Sequence, residues 1–73
     1  MSNNHERIKK ITNDVYNGFY LKIKDMKNTD EDWQRSIDLG NEIAVGNSKD
    51  EFCKKLILLY LDEVEKGLKE ASK

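Results

Sequence analysis

The spacing of apolar residues in the N-terminal part of the chain most constrains the fold. Apolar side chains recur there every three or four residues, at Ile8, Ile11, Val15, Phe19, Ile23 and Met26. Such steps place side chains on one face of an α-helix, whereas a half-buried strand alternates polar and apolar residues. The spacing therefore predicts a first helix over residues 5–26. Gly18 lies inside the pattern and indicates either a close helix crossing or a break.

The polar stretch after this helix contains a start signal for a second one. Thr29 is a favoured N-cap residue, and the acidic residues after it, Asp30, Glu31 and Asp32, suit a first turn where the helix dipole favours negative charge. We expect a second helix over residues 30–45. Its predicted inward face comprises Trp33, Ile37, Gly40 and either Ile43 or Ala44, with Leu39 to one side.

A third helix is predicted over residues 49–70. Gly46 and Asn47 are typical of a helix that ends in a left-handed residue. Ser48 stands three residues before Glu51, the spacing of a capping box in which each side chain accepts a hydrogen bond from the other residue's backbone N–H. The predicted inner face of this helix carries Phe52, Leu56, Leu59, Tyr60, Val64 and Leu68.

The middle of the third helix is apolar on nearly all sides. Cys53, Ile57, Leu58 and Leu61 lie next to the expected inner face, and residues 56–61 form an uninterrupted apolar run. A helix in a monomeric three-helix domain normally keeps a polar outer face. The third helix is therefore either the central helix of the domain or partly covered by another chain.

These elements predict an all-α fold, a compact three-helix domain over residues 1–73 in which the third helix packs across the first two. No segment alternates polar and apolar residues over a strand's length, so strands are not expected. A chain of 73 residues buries only a small core, and scaffolds below about 70 to 80 residues gain from a partner or from self-association. A helical homodimer is therefore an open alternative.

The sequence lacks the residues that several kinds of chemical site require. One cysteine and one histidine form neither an internal disulfide nor a structural zinc site, and the four glycines are too scattered for a phosphate-binding loop. The acidic runs lack the ligand spacing of a calcium loop. We interpret Cys53 as a small hydrophobe and His5 as part of a polar tail. We expect no enzymatic activity, no cofactor and no metal.

The chain also lacks the signals of secretion and membrane insertion. Residues 1–10 contain no apolar segment of the kind that a signal peptide needs, and the apolar run at residues 56–61 is too short to span a membrane. A lone cysteine suits a reducing compartment. We therefore expect a cytoplasmic protein without a membrane segment.

Charge is unevenly distributed, although the formal net charge is only −1. Residues 1–27 carry six basic and three acidic side chains, whereas residues 28–47 carry one basic and five acidic. We favour the interpretation that a basic first helix lies against an acidic second helix. The alternative is a nucleic-acid-associated accessory protein, because the first helix also carries aromatic residues that could stack on bases. Its nucleic-acid-binding residues would be Arg7, Lys9, Lys10, Lys22 and Lys24.

The surplus of aromatic and apolar side chains favours a different function, protein binding. So small a domain cannot enclose all of them, and protein interfaces are enriched in Trp, Tyr and Met. We therefore predict a non-enzymatic protein-binding module whose partner is a second copy or a host protein. The predicted protein-binding residues are Trp33, Ile57, Leu58, Tyr60 and Leu61.

Residues 29–66 resemble small helical accessory proteins of phages and prophages of low-GC Gram-positive bacteria. The resemblance is carried by Thr29, Asp30, Glu31, Asp32 and Trp33, then Ile37, Asn41 and Ile43, then Phe52, Leu56, Ile57, Leu61, Glu63 and Glu65. That group supplies no established activity and no functional residues. What the resemblance implies is a setting: a short accessory protein in the cytoplasm of an infected cell that binds or inhibits a host or phage protein.

Overall fold

The computed structural model describes residues 4–71, which form three helices and no strand. The first helix, α1, runs without interruption through Asn4–Val15, Tyr16–Tyr20 and Leu21–Ile23. The second, α2, is Asp30–Gly46, and the third, α3, is Glu51–Ala71. The predicted all-α fold of three helices is confirmed, with helix ends that differ from the expected ones by a few residues.

A π-helical turn in the middle of α1 keeps its apolar side chains facing the core. The buried residues of α1 follow one another at intervals of four, at Ile11, Val15, Phe19 and Ile23. In a regular α-helix, four residues advance about 40° beyond one full turn, so this series would drift out of the core. The π turn at Tyr16–Tyr20 holds more residues per turn and rotates the later ones back.

Gly18 lies within this π turn, and the helix does not break there. A Cβ atom at position 18 would lie 3.4 Å from the Ile43 Cδ1 atom, an ordinary van der Waals distance, so Gly18 faces α2. The close helix crossing at Gly18 stays a prediction.

The N-terminus of α2 is capped as predicted. Thr29 has an extended backbone, and its hydroxyl accepts a hydrogen bond of 3.2 Å from the Asp32 backbone N–H. The Asp32 carboxylate in turn accepts a hydrogen bond of 2.7 Å from the Lys27 backbone N–H, which ties the linker after α1 to the first turn of α2.

The inward face of α2 agrees with the predicted one in part. Gly40 and Ala44 are buried as predicted, whereas Ile37, expected to face inward, is 47% exposed and Ser36 is buried beside them. Ser36 can be buried because its hydroxyl donates a hydrogen bond of 2.8 Å to the Trp33 carbonyl. Small side chains occupy this face because α2 lies very close to the other two helices.

The predicted capping box at the start of α3 is wrong. The left-handed residues of the loop are Ser48 and Lys49, with φ of 58° and 55°, and not Gly46 or Asn47. The N-cap is Asp50, whose carboxylate accepts a hydrogen bond of 2.9 Å from the Phe52 backbone N–H. The two left-handed residues reverse the chain before α3 begins, so the residue after them takes the capping position.

The buried face of α3 is rotated slightly from the predicted one. The expected residues Phe52, Leu56, Tyr60 and Leu68 are partly buried against the core, and Val64 is buried as predicted. Cys53, Ile57 and Val64 are the buried residues, whereas Leu59, expected inside, is 61% exposed. They pack with Ala44 and the four buried residues of α1 in one core cluster. The core therefore lies mainly between α1 and α3, and the small residues of α2 close it.

Candidate functional site

A mainly apolar depression on the described part of the chain lies between α2 and α3. This α2–α3 groove has a volume of about 240 Å³. Its lining residues are Ile37, Gly40, Asn41 and Ala44 of α2, and Lys54, Ile57, Leu58 and Leu61 of α3. Apolar side chains predominate among them, and the polar members are one amide and one ammonium group.

The groove has a closed floor and exposed walls. Gly40, Ala44 and Ile57 are buried and form the floor. Ile37 stands on one wall and Leu58, 60% exposed, on the other, while Leu61 is half-buried. The floor is closed because α2 and α3 approach closely at Gly40, where a Cβ atom would meet the Ile57 Cγ2 atom at 3.0 Å.

The predicted protein-binding residues do not form one continuous surface. Leu58 and Leu61 line the groove as expected. Ile57 was predicted as an exposed contact residue, and this is wrong: the side chain is only 6% exposed, because the rotation of α3 turns it into the core. Tyr60 points about 160° away from Leu58 on a helix with 3.6 residues per turn. It therefore belongs to another face.

Trp33 lies one helical turn before Ile37, the residue of α2 on the exposed wall of the groove. Trp33 is partly buried, and its indole N–H donates a hydrogen bond of 2.8 Å to the Asn28 side-chain carbonyl. Ile37 follows one helical turn later, and residues four apart are neighbours on a helix surface. Ile37 was missing from the predicted binding set. The signal that could have found it is this four-residue spacing from Trp33.

Tyr60 belongs to a cluster of three tyrosines between α1 and α3. Its ring centroid lies 4.9 Å from that of Tyr20 and 6.4 Å from that of Tyr16, and the rings of Tyr16 and Tyr20 stack at 5.6 Å. Tyr16 is 43% exposed. The stacked pair lies within α1, and the tilted contacts of the Tyr60 ring with Tyr16 and Tyr20 stabilise the packing of α3 against α1.

Two of the five predicted nucleic-acid-binding residues contact the α2–α3 loop. Arg7 donates a hydrogen bond of 2.6 Å to the Asp50 carboxylate. Lys10 binds the Asp14 carboxylate at 3.0 Å and the Asn47 side-chain carbonyl at 2.7 Å. We refer to Arg7, Lys10, Asp14, Asn47 and Asp50 as the α1–loop clasp.

The clasp lowers the pKa of both its carboxyl groups. The hydrogen bond from Arg7 is the main cause for Asp50, and the hydrogen bond from Lys10 is the main cause for Asp14. Asn47 completes the connection, since its amide donates to the Asp14 carboxylate at 3.3 Å and to the Ile43 carbonyl at 3.0 Å. The clasp is therefore a structural feature that joins α1 to the loop before α3.

The other three basic residues of the predicted set lie apart from one another. Lys24 pairs with Asp25 at 2.6 Å, and this contact is the main cause of its raised pKa. Lys22 lies beside a depression between α1 and α2, together with acidic side chains of α2 such as Asp38 and Glu42. Within residues 4–71, neither Lys9 nor Lys22 forms an ion pair. The five cations therefore do not make one basic strip.

The structure also shows the surroundings of the one cysteine and of the side chains that could bind a metal ion. Cys53 is fully buried, and this burial raises the pKa of its thiol, as expected for a residue that acts as a small hydrophobe. Across residues 4–71, no three His, Cys, Asp or Glu side chains converge in a way that could hold a metal ion.

Comparisons with known proteins do not extend this description. No protein-family model, no curated protein and no solved structure matches the chain. None of the helices in residues 4–71 combines the length and the apolar character that a membrane crossing requires.

Proposed function

We propose that this chain is a small non-enzymatic protein-binding module and that the α2–α3 groove is its contact surface. The observation that carries the proposal is the pairing of an exposed apolar wall, Leu58, with a buried floor at Gly40 and Ala44. On the α2 side, the floor carries only the small residues Gly40 and Ala44, which leaves room for an apolar side chain of another chain. The groove is therefore a hole that a partner's side chain can fill.

The character of the groove favours a helical partner over a small molecule. Small-molecule sites combine an enclosing cavity with convergent polar groups, whereas this groove is shallow and lined mainly by aliphatic side chains. An amphipathic helix that inserts apolar residues into a groove is a recurrent mode of protein recognition. Lys54 is the one titratable residue among those that line the groove, so the groove itself holds no acid–base pair for catalysis.

The biological setting that we propose comes from the resemblance described above. We place the chain in the cytoplasm of a bacterium, as a phage or prophage accessory protein that binds or inhibits a host or phage protein. Four residues that carry the resemblance support a connection with the groove, because they line it: Ile37, Asn41, Ile57 and Leu61. Trp33 lies one turn before Ile37 on α2.

Two neighbouring leucines provide a matched test of this surface. Leu58 lies in the groove and Leu59 on the outer face of α3, and they are 60% and 61% exposed. We would incubate the tagged chain, Leu58→Asp and Leu59→Asp with a lysate of a low-GC Gram-positive bacterium. Each recovered protein would then be purified and titrated against the three chains.

The proposal requires a partner whose affinity is unchanged by Leu59→Asp and falls at least about tenfold with Leu58→Asp, as expected for an apolar contact at the centre of an interface. A second copy of the chain counts as a partner in this comparison. Circular dichroism of both variants would verify that the helices are retained. Partners that bind both variants equally would refute the groove as the contact surface.

The tyrosine cluster supports nucleic-acid binding as a second candidate function. Tyr16 presents an exposed ring, and Lys24 lies near enough to Tyr16 and Tyr20 for both to contribute to its raised pKa, after the larger effect of Asp25. Aromatic rings beside cations can bind single-stranded nucleic acid. We would titrate a labelled single-stranded oligonucleotide at increasing salt. Binding that falls steeply with salt and is lost in Tyr16→Ala, but not in Leu58→Asp, would favour this candidate.

A further inference from the structure

We infer that the partner in the α2–α3 groove is a second copy of this chain, bound through an antiparallel pair of α3 helices. The inference rests on the proposed function and names its partner. It comes from the order of residues along the exposed edge of α3 beside the groove. We call this edge the α3 stripe, and its members are Glu51, Lys54, Leu58, Leu61, Glu65 and Lys69.

The α3 stripe has the spacing of a helix–helix seam. Its members follow one another at intervals of three or four residues, which keeps them on one side of the helix. Leu58 and Leu61, at its centre, are the two α3 leucines that line the groove. Charged residues flank this apolar centre on both sides, as in helix pairs whose flanking charges determine orientation.

The order of charges along the α3 stripe suits an antiparallel pair, because each charge has the opposite sign to the one at the same place counted from the other end. Consider an antiparallel pair whose two-fold axis passes between Leu58 and Leu61. Leu58 then lies opposite Leu61 of the partner subunit, and Lys54 lies opposite Glu65 of the partner subunit. Further out, the position opposite Glu51 is residue 68, and Lys69 of the partner subunit lies one residue beyond it. Each position of the stripe thus meets an apolar residue or an opposite charge, directly or within one residue, as a two-fold interface requires.

A parallel pair of the same helices would place like charges against each other. Lys54 would lie opposite the partner's Lys54, and Glu65 opposite the partner's Glu65. Like charges across an interface disfavour that arrangement. The stripe therefore favours one orientation of a second copy.

Ion pairs within each chain already hold the charged residues of the stripe. Lys54 pairs with Glu51 at 3.0 Å, and Lys69 pairs with Glu65 at 3.2 Å. In the antiparallel arrangement, the Glu51–Lys54 pair of one chain meets the Glu65–Lys69 pair of the other at each end of the seam. The result is a network of four alternating charges, which contributes more than an isolated surface pair.

The area that such a dimer requires is available on this chain. A standard interface buries about 800 Å² on each partner, which is about one seventh of the surface area of 5476 Å². With 21 residues, α3 is about 30 Å long. Ile37, exposed beside the stripe on α2, adds apolar surface that the partner's Leu58 can cover.

Sedimentation equilibrium of the full chain, over a wide range of concentration, tests the inference. We expect a reversible transition from 8.5 kDa to twice that mass. Leu58→Asp should abolish the dimer, whereas the matched variant Leu59→Asp should retain it. Lys54→Glu and Glu65→Lys should each weaken dimerisation by at least about tenfold, because each puts like charges opposite each other twice.

The decisive measurement is the double variant Lys54→Glu with Glu65→Lys. It restores opposite charges across the antiparallel seam, so its dimer should recover to within about threefold of the original. A dimer that the double variant fails to recover would overturn the antiparallel register. A chain that stays monomeric at all concentrations would overturn the second copy as partner. The proposed function would survive that result if a different protein binds in a manner that depends on Leu58 and not on Leu59.

Discussion

Gly40 of α2 lies so close to Ile57 of α3 that a Cβ atom at position 40 would stand 3.0 Å from the Ile57 Cγ2 atom. The same Cβ atom would lie 3.3 Å from the Phe19 ring of α1. All three helices therefore meet at this one glycine. Because Gly40 has no side chain, the three helices can pack closely around it. The same residue forms part of the floor of the α2–α3 groove.

Gly40→Ala should lower the free energy of unfolding by about 1 kcal/mol. Alanine in a helix gains up to about 1 kcal/mol over glycine, but overpacking a closely packed core costs about 1 to 3 kcal/mol. Gly67→Ala is the control, because a Cβ atom at that helical position meets nothing within 4 Å. It should raise stability by about 1 kcal/mol. Urea unfolding at one fixed protein concentration measures the free energy of unfolding of both variants. If both substitutions changed it in the same direction, the result would contradict the close approach at Gly40.

Asp50→Ala should lower the free energy of unfolding by about 1 kcal/mol or slightly more, because it removes the N-cap of α3. Ser48→Ala should change it by less than about 0.5 kcal/mol, since Ser48 has a left-handed backbone and does not cap the helix. Thermal and urea unfolding of both variants make the comparison. A larger loss in Ser48→Ala than in Asp50→Ala would restore the capping box that the sequence suggested.

The number, order and approximate ends of the helices could be predicted because each rests on a local signal. The apolar spacing of α1 and the Thr29 cap of α2 are properties of a few neighbouring residues. The start of α3 could not be read in the same way. Ser48 and Asp50 are both good capping residues, and the choice between them depends on backbone dihedral angles that spacing does not reveal.

The candidate site was predicted only in part, because α3 is apolar on nearly all sides. Where most positions are apolar, the pattern does not determine which side faces the core, and a rotation of about 100° separates neighbouring residues. Ile57 was therefore expected outside and Leu59 inside, the reverse of what is observed. Ile37 was misplaced for a different reason: the close approach at Gly40 favours the small Ser36 and Ala44 on the inward face of α2.

The α1–loop clasp should make stability depend on pH in the acidic range. The pKa of Asp50 and of Asp14 is lowered in the folded chain from the ordinary value of 3.8. A carboxyl group with a lowered pKa binds its proton more readily in the unfolded chain. The clasp therefore stabilises the fold fully at neutral pH, and this contribution is lost as the pH falls through about 4 and below.

Asp50→Asn isolates that contribution, because asparagine keeps the capping function while it removes the charge. At neutral pH the variant should be less stable than the original chain. The difference should shrink as the pH is lowered from about 6 to about 2.5, where the Asp50 carboxyl becomes protonated in both states. Urea unfolding across this range measures it. A difference that stays constant with pH would show that the Arg7–Asp50 ion pair does not contribute to stability.

The Cys53 thiol should resist modification in the folded chain. Its side chain is fully buried, and burial raises its pKa, so neither access nor the reactive thiolate is available. A disulfide-based thiol reagent should react at a rate set by opening of the structure, and the rate should rise with urea in parallel with unfolding. Gly40→Ala supplies a control, because it should destabilise the core and raise the population of open molecules. The rate of modification should rise by about the same factor as that population. Rapid modification of the folded original chain would contradict the burial of Cys53 between α1 and α3.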